Sequence, residues 1–191
     1  MDKQDVVVIG AGHAGIEAAL AAARMGMQCA LITLKKETIA AMSCNPSIGG
    51  LAKGQIVREI DALGGEMGKA IDATGIQFRM LNTGKGPAVR ALRAQADSDE
   101  YKSYMRTVLE AQPQLTLVYD SAEKVVCKNN RVDAVITGDG GGIKTQAVIV
   151  TAGTFLHGLM HIGDERVEGG RVGEAPSNSL SDSLASLGLE R

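Results

Sequence analysis

DVVVIGAGHAGIEAALAAARMGMQCALIT, residues 5–33, decides the fold class of this chain. Asp5–Ile9 is a run of β-branched residues, the pattern of a strand buried on both faces of a parallel sheet. Gly10-Ala11-Gly12-His13-Ala14-Gly15 follows at once, and Ile16–Met25 is an alanine-rich helical stretch closed by Gly26. Met27–Thr33 then reads as a second strand, completing a βαβ unit. In that context the G-x-G-x-x-G spacing points to a dinucleotide. Gly10 permits the tight turn, Gly12 lets a pyrophosphate approach the backbone, and Gly15 lets helix and strand pack closely. The helix N-terminus offers its N–H groups to the anion. Residues Gly10, Ala11, Gly12, His13, Ala14 and Gly15 are therefore assigned to cofactor binding. Thr33 stands where an acid is expected to hold the ribose hydroxyls, and Lys35 and Lys36 follow it, so the turn alone leaves FAD and NADP both open.

Beyond the βαβ unit, Cys44–Arg93 combines a cysteine, many glycines and several bases where a plain crossover is usual, and is the expected substrate region. Helices are expected over Ser47–Leu63, ended by Gly64-Gly65, and over Arg90–Gln112, stopped at Pro113. Leu115–Tyr119 is the next strand. Lys124–Lys128 and Arg131–Thr137 flank the hairpin signal Asn129-Asn130, and Gly138–Gly142 turns the chain into Ile143–Val150. Residues 121–146 thus form a three-stranded antiparallel excursion before the strand Ala147–Val150. Residues 157–176 read as loop, and Leu180–Leu187 as a short helix.

The fold class is α/β: a Rossmann-like FAD-binding domain of the two-dinucleotide-binding flavoprotein type, with a small antiparallel β-meander insertion. Within 1–191, the divisions are 1–43 for the first βαβ unit, 44–114 for the glycine-rich and basic insertion, 115–156 for the third strand, meander and following strand, and 157–191 for loop and helix. TAGTF at Thr151–Phe155 resembles the A-T-G element of such flavoproteins, with Gly153 permitting close approach to the first glycine turn.

Apolar residues make up 45% of the 191 and charged residues 22%, the balance of a globular domain. A net charge of -2 excludes a wholesale basic coat while leaving room for a local patch. Three widely spaced cysteines without a C-x-x-C pair indicate reduced thiols and no zinc site, and MDKQD leads directly into a strand. No run is apolar enough to span a bilayer, so a cytoplasmic protein is expected. Cys29 and Cys127 lie in apolar strand patterns, where buried inert thiols are the rule. Cys44 lies in Ser43-Cys44-Asn45-Pro46 ahead of a helix and of Lys53, both of which favour a thiolate; nucleophile and structural thiol remain open on this ground alone. Lys53, Arg79, Lys85, Arg90 and Arg93, with glycines between them, suit phosphate oxygens, although solvated helix faces carry such charges too. TGKGP is not a Walker lysine loop, and His157 and His161 are not expected to bind metal.

Five stretches together resemble the MnmG (GidA) family, the FAD-binding subunit of the tRNA wobble-uridine modification enzyme. They are IGAGHAGIEAALAAARMG at 9–26, SCNPSIGGLAKGQIVREIDALGG at 43–65, GIQFRMLNTGKGPAVRALRAQAD at 75–97, TAGTFLHGLMHIG at 151–163 and GGRVGEAPSNSLS at 169–181. The resemblance implies FAD on Gly10–Gly15, with further contacts from Ala122 and Ser177, and NADH as reductant. It implies a tRNA substrate, a homodimer and an MnmE-type GTPase partner. The implied reaction places an aminomethyl or carboxymethylaminomethyl group on C5 of the wobble uridine. Cys44 fits as the nucleophile that adds to C6 of the uracil and makes C5 enolate-like. Family members are much longer, so the 191-residue chain alone is expected to bind FAD weakly if at all and to lack turnover.

Three other readings compete. A folate- and FAD-dependent tRNA uracil-5-methyltransferase shares the glycine turn and an early cysteine, but the 75–97 motif favours the wobble enzyme. A flavin disulfide oxidoreductase needs a redox cysteine pair absent here. A non-catalytic Rossmann docking module would keep the fold without the cofactor.

Overall fold

The computed structural model describes residues 3–42 and 45–189. In chain order the elements are β1 Val6–Ile9, α1 His13–Arg24, β2 Cys29–Thr33, β3 Ser47–Gly49, α2 Lys53–Ala62, α3 Met67–Thr74, β4 Gly75–Leu81, β5 Ala91–Ala96 and α4 Ser98–Ala111. There follow β6 Leu115–Tyr119, β7 Ala122–Lys128, β8 Arg131–Thr137, β9 Gly142–Lys144, β10 Ala147–Val150, β11 Leu159–Ile162, β12 Glu165–Glu168 and α5 Asn178–Ser186. The chain forms two units, one from 1–38 with 113–191 and the other from 39–112.

The first unit carries a parallel sheet of order β10-β1-β2-β6. Val6–Ile9 pairs in register with Ala147–Val150 on one side and with Cys29–Ile32 on the other. All four β1 residues and all five of β2 are buried, as the uninterrupted apolar runs require. This is a Rossmann arrangement, and its switch point lies where β1 separates β2 from β10. The antiparallel β7-β8-β9 sheet completes the unit. Val125, Val135, Ile143 and Leu180 share a core with Val7, Ile9 and Ile32, so the meander and α5 are packed into the Rossmann layer. Asn129 and Asn130 both adopt left-handed backbone, which the tight β7–β8 turn requires.

The second unit holds an antiparallel sheet of order β3-β5-β4. Ile48 pairs with Ala94 and Phe78 pairs with Ala94 from the other side, with Ile48 and Ala94 buried. Helices α2, α3 and α4 accompany this sheet; α3 buries Met67 and Ile71 and α4 buries Tyr101, Met105 and Leu109, whereas α2 has no buried residue.

Four expectations require correction. Ser47–Leu63 is not one helix, because Ser47–Gly49 is the strand β3 and the helix begins only at Lys53. Arg90–Gln112 likewise opens as β5, and α4 begins after Asp97, whose carboxylate accepts from the backbone N–H groups of Asp99 and Glu100. Part of the 157–176 loop is the hairpin β11–β12, turning at Gly163-Asp164. Cys127 is exposed rather than buried, since the β7–β8 register shifts between Val126 and Cys127 near the hairpin end.

Candidate dinucleotide site and basic sheet

The ends of β1 and β10 meet through Thr151. Its N–H donates to the Ile9 carbonyl at 2.8 Å. Its hydroxyl lies 2.8 Å from the Ile9 carbonyl and 2.9 Å from that of Gly10, and can donate to either. Gly10 has φ 103°, and a Cβ there would stand 2.6 Å from the Thr151 carbonyl oxygen. At Gly15 a Cβ would fall 1.8 Å from the Gly10 carbonyl oxygen. These two glycines are therefore fixed by packing.

Gly12 differs from both. It is exposed at the N-cap of α1, where no side chain caps the helix, and a Cβ built on it meets nothing within 4 Å. Ala14 is exposed beside it, while Ala11 is buried and His13 half-buried. The helix start thus presents backbone to open space at the switch point of the sheet, the arrangement that accepts a pyrophosphate. The residues present fit a dinucleotide.

Thr33 ends β2, buried, and its carbonyl accepts from the Asp120 N–H at 3.0 Å. Gly153 has φ 58° with open space around it; the contact with the first glycine turn is made instead by Thr151, two residues earlier. Ser177 caps α5 by position, and its N–H donates to the Phe155 carbonyl at 2.8 Å, tying the start of α5 to the segment after β10. The Arg171 guanidinium lies 5.8 Å from the Phe155 ring centroid and pairs with Glu174 at 3.2 Å. Ala122 lies beyond the strand β6, which stops at Tyr119, and opens β7 as a buried residue opposite Thr137.

A shallow hollow lies between the end of β6 and the meander, lined in part by Tyr119, Asp120, Thr137 and Asp139. The Thr137 hydroxyl, and then the Gly141 N–H, hold the Asp139 carboxyl below the usual range. Two carboxylates committed to turn hydrogen bonds make this hollow unsuited to phosphate. His157, with φ 47°, faces Asp182 at 2.9 Å, whereas His161 lies within β11 opposite Arg166. Among the described residues no cluster of three or more His, Cys, Asp or Glu is placed to hold a metal ion. No described helix is long and apolar enough to cross a membrane.

The second unit carries the basic residues. The Lys53 ammonium donates to the Ser47 carbonyl at 3.3 Å. Arg79 and Arg93 stand directly opposite each other across β4 and β5. Lys85 is exposed in the connection between these strands. That connection is internally braced: the Arg90 guanidinium donates to the Thr83 carbonyl at 3.0 Å and the Asn82 amide to the Val89 carbonyl at 3.2 Å. Arg90 therefore holds the turn, a role that its charge alone did not reveal. Cys44 lies outside the described residues.

Residues 5–191 match the family described as Glucose inhibited division protein A. The chain is 59% identical over 190 residues to the tRNA uridine 5-carboxymethylaminomethyl modification enzyme MnmG of Sulfurihydrogenibium sp., covering 98% of this chain and 31% of that protein. Against the Aquifex aeolicus protein of the same name it is 59% identical over 182 residues, 95% of this chain and 30% of the relative. The crystal structure of Aquifex aeolicus GidA superposes with a TM-score of 0.94 at 57% identity over 99% of this chain and 31% of that one. The GidA-related protein of Thermus thermophilus, at 21% identity and TM-score 0.71, covers 99% of this chain and 70% of its own, and shares the fold. The chain spans under a third of the length of its curated relatives.

Proposed function

The chain belongs to the GidA family, and from that footing we propose that it supplies the pyrophosphate cradle of an FAD-dependent enzyme modifying C5 of the wobble uridine of tRNA. The observation that carries this reading is the glycine turn itself: Gly10 and Gly15 closed against Thr151, with open space over the Gly12 backbone. FAD, when bound, supplies the two-electron chemistry. Gly10, Ala11, Gly12, His13, Ala14 and Gly15 would hold its phosphates, with Thr33, Ala122, Gly153 and Ser177 as further contacts.

The chain's own chemistry centres on Cys44. Its thiolate adds to C6 of the uracil, giving C5 the character of an enolate carbon that can attack a one-carbon electrophile; loss of the C5 proton and departure of the thiolate restore the ring. Lys53, Arg79, Lys85 and Arg93 are assigned to substrate phosphates, with Arg90 bracing their neighbourhood. NADH as reductant, an MnmE-type GTPase as partner, a homodimer and a cytoplasmic location complete the reading; the relatives named as tRNA uridine 5-carboxymethylaminomethyl modification enzymes support its tRNA uridine part.

Mass analysis of tRNA from a strain lacking the gene tests it. Loss of the aminomethyl-type group from the wobble uridine is expected; loss of a methyl group from a different uridine would establish the methyltransferase reading instead. A Cys44→Ser protein that modifies tRNA normally would remove the nucleophile role.

A further inference from the structure

The register of the β3-β5-β4 sheet places two rows of polar residues on one face. Gly49, Arg93 and Arg79 are successive partners across the three strands, and Ser47, Gln95 and Gln77 form the next row on the same side. The alternating positions Ile48, Ala94 and Phe78 point to the other side. Side chains directly opposite in an antiparallel pair have Cβ atoms about 5 Å apart, and like charges so placed repel. Among the described residues neither arginine is in an ion pair, although acids outnumber bases 22 to 20 in the chain. Arg93 is half-buried and Arg79 exposed, so one guanidinium is partly withdrawn from the water that would screen the other. The flank of Arg93 toward β3 bears no side chain, because a Cβ at Gly49 would stand 2.1 Å from the Leu92 carbonyl oxygen.

We propose that Arg79 and Arg93 form a two-guanidinium clamp for the phosphodiester backbone of a polynucleotide, flanked on the same sheet face by the Gln77 and Gln95 amides. Planar guanidinium groups donate paired N–H bonds to phosphate oxygens, and a bound anion turns the repulsion between them into shared attraction. The two rows carry guanidinium donors, amides and a hydroxyl with no carboxylate, which suits an anion and rejects a cation. The assignment rests on the tRNA reading above and adds to it which pair of residues grips the strand and by which chemistry.

The test measures binding of a single-stranded oligouridylate to the 191-residue chain across a salt series, beside FAD binding by flavin fluorescence. The unsubstituted chain should bind with a steep inverse dependence on salt. In the Arg79→Gln/Arg93→Gln double variant the slope of log affinity against log salt should be shallower by about 1.4, at roughly 0.7 for each phosphate no longer neutralised. Arg79→Gln alone should give about half of that, and the thermal midpoint should hold or rise because a like-charge contact is relieved. Arg131→Gln, at the β7–β8 hairpin of the other unit, should leave the slope unchanged. An unchanged slope in the double variant, or a loss of FAD affinity with oligonucleotide binding intact, would overturn the clamp. An unsubstituted chain that fails to hold the oligonucleotide at low salt would overturn the tRNA reading along with it.

Discussion

Thr151 and Gly15 meet across 136 positions of sequence: a Cβ on the glycine would lie 2.6 Å from the threonine Oγ1, and only 1.8 Å from the Gly10 carbonyl oxygen. The second obstacle is backbone, which cannot swing aside as a side-chain end can. Gly15→Ala must therefore push α1 away from β1 or break the turn. It should cost about 3 kcal/mol, the upper end of overpacking, read as a lower urea midpoint at unchanged denaturant sensitivity.

Gly12→Ala separates binding from stability. The residue has φ -75°, which alanine adopts freely, and its Cβ would meet nothing. The fold should lose less than about 1 kcal/mol, since glycine and alanine differ modestly at an N-cap. The methyl would occupy the approach of the pyrophosphate, and FAD affinity should fall at least about tenfold. Equal FAD titrations for the two proteins would remove Gly12 from the cofactor site.

How much of this could be read from residue order depends on the range of the determining contacts. The βαβ unit was legible because glycine spacing and β-branched runs act within a few residues, and Asn129-Asn130 marked its hairpin for the same reason. Ala91–Ala96 reads helical by composition, yet pairing with β3 and β4 on its two edges makes it a strand. A signal was present there: Asp97 followed by Ser98, Asp99 and Glu100 is a helix start that divides the segment. Gly163-Asp164 was a comparable hairpin signal inside the supposed loop. In the candidate sites, the glycine turn was local, whereas the Thr151 hydroxyl contact and the Arg79–Arg93 register join residues assigned to separate elements.

Thr151→Val tests the junction of β1 and β10. Valine keeps the branched shape but removes the hydroxyl that faces the Ile9 and Gly10 carbonyls. The backbone N–H of residue 151 still donates to Ile9, so one acceptor keeps its partner. A loss of about 1 kcal/mol is expected, the net value of one such hydrogen bond. A midpoint matching the unsubstituted protein would show that water replaces the hydroxyl without cost.

The Asn129-Asn130 turn can be improved. Both residues hold left-handed backbone, at φ 51° and 59°, where glycine has no Cβ conflict. Asn130→Gly creates the Asn-Gly pair favoured in this turn type. Relief of the left-handed conformation should exceed the added unfolded-state entropy by about 0.5 kcal/mol. Thermal unfolding should show a small upward shift, and a downward one would mean that the Asn130 side chain supports the hairpin.

Cys29 and Cys127 should part company in their reactivity toward thiol reagents, one being buried and the other exposed. Burial pushes the Cys29 thiol up from 9.0 to about 11, whereas Cys127 is exposed on β7. The fold prefers the neutral Cys29, so its contribution is complete below the unfolded value of 9.0 and is lost as pH rises toward about 11. Iodoacetamide at pH 8 should label Cys127 in the native protein and reach Cys29 only on unfolding. The urea midpoint should fall between pH 9 and 11, and Cys29→Val should flatten that fall. Rapid native labelling of Cys29 at pH 8 would contradict its place in the sheet interior.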